Sequence, residues 1–113
     1  MAVDQELDHL LYAAIENKRL IRFEYKGKER VAEPHDYGIQ NGIVRLFCWQ
    51  VSGKSNGRIP GWRLIDVEGM EGSEMLDRVF DGNREVPSGQ HHRWDEIFIR
   101  VGPSQKSRLK KTG

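Results

Sequence analysis

Two arginines interrupt otherwise apolar strand-like sequence: Arg45 within Ile43-Val44-Arg45-Leu46-Phe47 and Arg63 within Gly61-Trp62-Arg63-Leu64-Ile65. A guanidinium pairs bidentately with phosphate and stacks on aromatic planes. Each of these has rings beside it in sequence, Phe47 and Trp49 for Arg45 and Trp62 for Arg63. An aromatic ring that holds a base face contributes about 1–3 kcal/mol. Charge is costly to bury without a partner, so arginines in such surroundings point to a sheltered hollow that receives a phosphate or nucleotide. The competing role is structural: each guanidinium faces solvent or pairs with Glu24, Glu33 or Asp66. His35, just after Glu33-Pro34, is either a titratable donor near neutral pH or a solvent-facing turn residue.

Other chemistries find little support. His91 and His92 are adjacent, and neighbours on a strand point to opposite faces, while Glu85, Asp95 and Cys48 lack zinc spacing. No metal site or cofactor is therefore expected. Cys48, the single cysteine, excludes an internal disulfide and reads as a small buried hydrophobe. Gly53-Lys54-Ser55 is no phosphate-cradling loop, since the preceding glycine and the strand–loop–helix context are missing. No Ser/His/Asp arrangement or carboxylate pair completes a catalytic set. The expectation is a non-enzymatic binding protein.

These side chains need elements to hold them. Asp4 is a helix N-cap, and Leu7, Leu10, Leu11, Ala14 and Ile15 recur at helical spacing until about Asn17. The period then changes to two: Ile21, Phe23 and Tyr25 alternate with Arg22, Glu24 and Lys26. Gly27 permits a turn into 28–33, where Pro34 is expected to end ladder pairing. Asn41-Gly42 is a strong hairpin signal between 37–40 and 43–51. The second of these strands is apolar on both faces, with Val44, Leu46 and Cys48 on one and Ile43, Phe47 and Trp49 on the other, so it lies centrally or bends. A polar loop at 52–57 precedes a strand over 58–67 with Pro60-Gly61 near its start, and 67–70 extends it. Met75, Leu76, Val79 and Phe80 suit a helical turn or a strand, and Ile97, Ile99 and Val101 mark a C-terminal strand over 94–101. One helix followed by five or six short strands predicts a mainly β fold, a small bent sheet or partly closed barrel with the helix covering one end or side.

The 113 residues suit one domain with a tail. With 37% hydrophobic and 31% charged residues the chain reads as globular, and no apolar run approaches a spanning helix or a signal peptide. A cytoplasmic protein without membrane contact is expected. The formal charge of +1 conceals an asymmetry: Lys106, Arg108, Lys110 and Lys111 lie in the last eleven residues, leaving 14 bases against 17 acids upstream. This organises the chain into a core at 1–82, an extension with an extra strand at 83–102, and a basic, disordered tail at 103–113.

The run Ile21-Arg22-Phe23-Glu24-Tyr25, then Glu33-Pro34 and Tyr37-Gly38, resembles the opening of the WYL domain. Where that family has glycine, a Trp-Tyr-Leu triplet and a small residue, this chain has Gly42, Val44-Arg45-Leu46 and Cys48. Trp62-Arg63-Leu64 with Val67 matches the family's arginine-containing aromatic strand, and Arg58 answers to a second basic residue. The match spans about 12–80. It implies a small Sm-like or SH3-like barrel that senses an anionic ligand, a nucleotide or short single-stranded nucleic acid, in transcription regulation or phage defence. Arg63, with Arg45 or Arg58, then binds the ligand, and Tyr25 and Tyr37 stack or donate hydrogen bonds. Since the chain has no room for a DNA-reading domain beside such a barrel, the alternative is an interaction or dimerisation module that pairs through the 94–101 strand with a regulator on another chain or with itself.

Overall fold

The computed structural model describes residues 4–54, 57–82, 84 and 93–102. The expected disordered tail and the His91-His92 pair lie outside these residues. Helix α1 (Gln5–Glu16) opens where Asp4 caps it, its carboxylate accepting from the Glu6 amide at 2.9 Å. It ends at Asn17, whose side-chain amide donates to the Ala13 carbonyl at 2.8 Å.

Strand β1 (Arg19–Tyr25) turns through Lys26 and Gly27 into β2 (Lys28–Gln40), and Asn41-Gly42 leads into β3 (Ile43–Gly53). Both turns carry two consecutive positive φ values, +54° and +74° in the first and +51° and +77° in the second. That is the hairpin geometry for which Asn-Gly is selected. Strand β4 (Gly61–Asp66) passes through a 3-10 turn at Val67–Gly69 into β5 (Met70–Val79), and β6 (Glu96–Arg100) follows. The sheet is antiparallel in the order β4-β3-β2-β1-β5, with β6 paired to β2.

The fold is mainly β with one N-terminal helix, as expected, and the bent sheet is open rather than closed into a barrel, because β4 and β5 end the path without pairing. A side chain bridges the two halves instead, the Tyr25 hydroxyl accepting from the Asp66 amide at 3.3 Å. Pro34 does not end its strand. β2 runs on to Gln40 and pairs with β3 throughout, while its other edge changes partner: β1 pairs as far as Ala32 and β6 begins at Asp36. The residue without an N–H falls in the gap between them. Residues 67–70 make a 3-10 turn rather than extending β4, and the ambiguous segment around Met75 is strand.

The inner face carries the core of Leu11, Ala14, Ile15, Ile21, Phe23, Ala32, Tyr37, Leu46, Cys48, Ile65 and Val67, all 2% exposed or less. Helix α1 lies over β1, β2, β5 and β6 on that side. On the opposite face Phe47 and Trp62 stack in parallel with centroids 4.6 Å apart, and Trp49 and His35 meet the Trp62 ring edge-on at 5.1 and 5.0 Å. β3 therefore lies between two apolar clusters, as its two-sided pattern demands, and is flanked by β2 and β4.

Candidate anion site

The expected convergence of Arg45 and Arg63 does not occur. The β3–β4 register is unbroken from Arg45↔Asp66 to Gln50↔Gly61, so alternation assigns the faces directly. Arg63 shares a face with buried Ile65, and Arg45 shares the other with Phe47 and Trp49. Arg45 is also neutralised, donating to Asp66 Oδ1 at 2.8 Å and Gln40 Oε1 at 2.6 Å. It forms a cross-strand ion pair, on the face opposite Arg63.

Other expected residues are also dispersed. Arg58 is exposed, and its backbone carbonyl accepts from Arg63 Nη2 at 2.7 Å. Tyr37 is fully buried beneath α1, edge-on to Tyr12 and Phe98, with its hydroxyl donating to Asp8 Oδ1 at 2.6 Å. Burial first, and then the Asp8 carboxylate, push its ionisation well above the usual phenol range. His35 is not a solvent-facing turn residue: it is 3% exposed at the β2 bulge, opposite neither Cys48 nor Phe47, on the face away from Arg63.

Arg63 does gain a basic companion, though one the sequence reading did not select. Arg30 lies opposite Phe23 on the inner face and is 7% exposed. Its guanidinium stacks on the Tyr25 ring at 5.2 Å, and its Nη2 reaches the Tyr25 carbonyl at 3.5 Å, the outer limit of a hydrogen bond. Its Nε has no partner, and no carboxylate among the described residues pairs with it. Burial, and then the like charge of Arg63, make its proton easier to lose than usual. Cys48 lies near both guanidinium groups: burial pushes its thiol up to about 12, against the opposing pull of Arg63 and then Arg30. Gln50 lies on the same face. Fully buried opposite Ala32, it donates through Nε2 to the carbonyls of Ser52 and Lys54 at 3.1 and 3.2 Å, leaving Oε1 without a donor.

Local backbone makes room for Arg63. Its Nη1 donates to the Trp62 carbonyl at 2.8 Å, and a Cβ on Gly61 would stand 2.8 Å from both that nitrogen and the Arg58 carbonyl. Only glycine lets the guanidinium lie so close to the loop. Arg30 escaped sequence reading because Lys28-Glu29-Arg30 shows no apolar alternation; its parity with Ala32 was the only signal.

The opposite face holds a second charged group. Arg84 donates to both oxygens of buried Glu33, at 2.7 and 2.9 Å, and stacks on Trp49 at 4.9 Å. Burial would raise the Glu33 carboxyl, but the hydrogen bonds and charge of Arg84, with the His35 ring 3.6 Å away, outweigh it and hold it below the usual range. The Arg84–Glu33 pair is mutually neutralised, which distinguishes it from Arg30, although the buried His35 Nε2 beside it has no hydrogen-bond partner among the described residues. Among the described residues no three His, Cys, Asp or Glu side chains gather as metal ligands, and no helix is long and apolar enough to cross a membrane.

Comparison of the chain with protein-family models, curated proteins and solved structures gives no match.

Proposed function

We propose that this protein is a non-enzymatic ligand-sensing or regulatory module of the WYL kind, which binds an anionic ligand, a nucleotide or short single-stranded nucleic acid, on its inner face through Arg63 and Arg30. One observation carries the reading: Arg30 is buried with no counter-charge among the described residues and with the like charge of Arg63 acting on it. A guanidinium so placed lowers stability unless something negative joins it. Supporting it are the Trp62-Arg63-Leu64 element that resembles the WYL strand and the Gly61 backbone fitted to Arg63. Arg45, which pairs with Asp66, plays no part.

The test is calorimetric titration of the full chain with ATP and with a short oligothymidylate at low and moderate salt. Binding should weaken with salt, and Arg63→Ala should reduce both the affinity and the salt slope. Absence of binding to either probe at low salt, or an unchanged slope in Arg63→Ala, refutes the assignment.

A further inference from the structure

On the face opposite Arg63, we infer that Glu33 and Trp49 form an arginine-receiving site, filled by the chain's own Arg84 and yielding by exchange to an arginine side chain presented by a partner protein. The receiving half is built into the sheet. Glu33 on β2 and Trp49 on β3 are register partners, so they project to one side. Glu33 is 5% exposed, and Trp62 meets the Trp49 ring edge-on. A buried carboxylate beside an aromatic face suits a planar guanidinium, which forks onto both oxygens and stacks at once. Arg84 demonstrates the fit: it donates to the two Glu33 oxygens at 2.7 and 2.9 Å, with its Cζ 4.9 Å from the centre of the Trp49 ring. A lysine ammonium would bring the charge without the fork or the plane.

His35 leaves that demand unmet. It is 3% exposed, yet its Nε2 stands 3.6 Å from Glu33 Oε1, beyond hydrogen-bond reach, and has no hydrogen-bond partner among the described residues. Among those residues the charge-assisted bonds to Glu33 therefore come from a guanidinium alone. Vacated, the site would hold a buried carboxylate without a counter-ion, which is unfavourable. It opens only in exchange for another cation.

The filling half is attached differently. Arg84 lies after β5, which ends at Val79, and before β6, which begins at Glu96, and among the described residues no backbone hydrogen bond ties it to the sheet. Its side chain is 46% exposed, against 6% for the carboxylate beneath it. The occupant thus enters from solvent, by a route open to a second arginine. Trp62 and Phe80, which pack on the neighbouring His35 ring, are themselves only half-buried and offer apolar area to the residues flanking that arginine.

Exchange is tested by titrating the full isotope-labelled chain, unaltered and as Arg84→Ala, with N-acetyl-arginine methylamide and its lysine counterpart, following the tryptophan indole signals by NMR. Arg84→Ala should give a saturable shift with the arginine probe at about tenfold lower concentration than with the lysine probe, the effect of one lost charge-assisted hydrogen bond. The unaltered chain should respond to the arginine probe several-fold more weakly, because its tethered Arg84 competes. Adding Glu33→Gln to Arg84→Ala should abolish the preference for arginine. Should Arg84→Ala fail to melt cooperatively, Arg84→Lys takes its place, keeping the charge while giving up the fork, and the same preferences are expected. No response to either probe, an equal response to both, or a preference that survives Glu33→Gln overturns the site. A response by the variant with none by the unaltered chain makes Arg84 a permanent strut and overturns the exchange.

Discussion

Replacing Arg30 by methionine should make the protein more stable while removing its ligand. Among the described residues the Arg30 guanidinium has two stabilising contacts. One is the Tyr25 ring at 5.2 Å, a cation–π contact contributing about 1–2 kcal/mol when desolvated. The other is the Tyr25 carbonyl at 3.5 Å, too long to count for much. Against these stand several kcal/mol for desolvating a charge and repulsion from Arg63. Methionine keeps an unbranched apolar stem of similar reach and fills irregular space. The net gain should be about 1–2 kcal/mol, and each kcal/mol corresponds to roughly 4–8 °C in Tm for a domain of this size. Urea unfolding followed by tryptophan fluorescence measures it, urea being preferred because an ionic denaturant would screen the repulsion under test. The midpoint should rise at constant slope. A loss of more than about 1 kcal/mol at unchanged slope would mean that Arg30 is a satisfied strut, and the reason to seek an anion there would vanish.

Three further outcomes follow from the same geometry. Arg45→Ala should leave nucleotide affinity unchanged and cost no more than about 1 kcal/mol in urea unfolding, because its partner Asp66 is half exposed. Glu33→Gln should cost about 1–2 kcal/mol at neutral pH by weakening two charge-assisted bonds. Since the folded Glu33 carboxyl ionises below its ordinary value, its contribution is complete above about pH 4.3 and is lost as pH falls through the lower folded value, so the variant should show a shallower acid limb in stability against pH. Cys48, pushed up to about 12, should react with a thiol-specific disulfide on the order of 1000-fold more slowly in the native chain than in urea; rapid native labelling would contradict its burial.

Local signals in the sequence carried much of the fold. Asp4 and the leucine spacing located α1, the Ile21–Tyr25 alternation located β1, Asn41-Gly42 located the second hairpin, and the two apolar faces of 43–51 put β3 inside the sheet. What escaped was non-local. Pro34 reads as a stop because it lacks a donor, and only the handover from β1 to β6 explains why the strand continues through it. Residues 70–79 alternate too poorly to announce a strand, since several of them face solvent. At the site, the chemistry of Arg63 was legible but its companion was not. Whether Arg45 or Arg30 shares its face depends on the β2–β3 and β3–β4 registers, which local spacing does not determine.

Strand β3 has a cost of its own. A strand with one wet side resists slippage, since a shift by one residue would drown its apolar set; between Leu46 and Trp49 both sides are covered, and that safeguard is gone. Alignment must therefore be indexed from fixed points. The Asn41-Gly42 turn sets the phase at one end, the unpaired residues His35 and Val51 lock it along the β2 flank, and the Arg45–Asp66 bridge clamps the β4 flank. Losing these fixed points together would let the strand slide by one residue, carrying Gln50 and Cys48, which lies opposite Arg63, off the inner face.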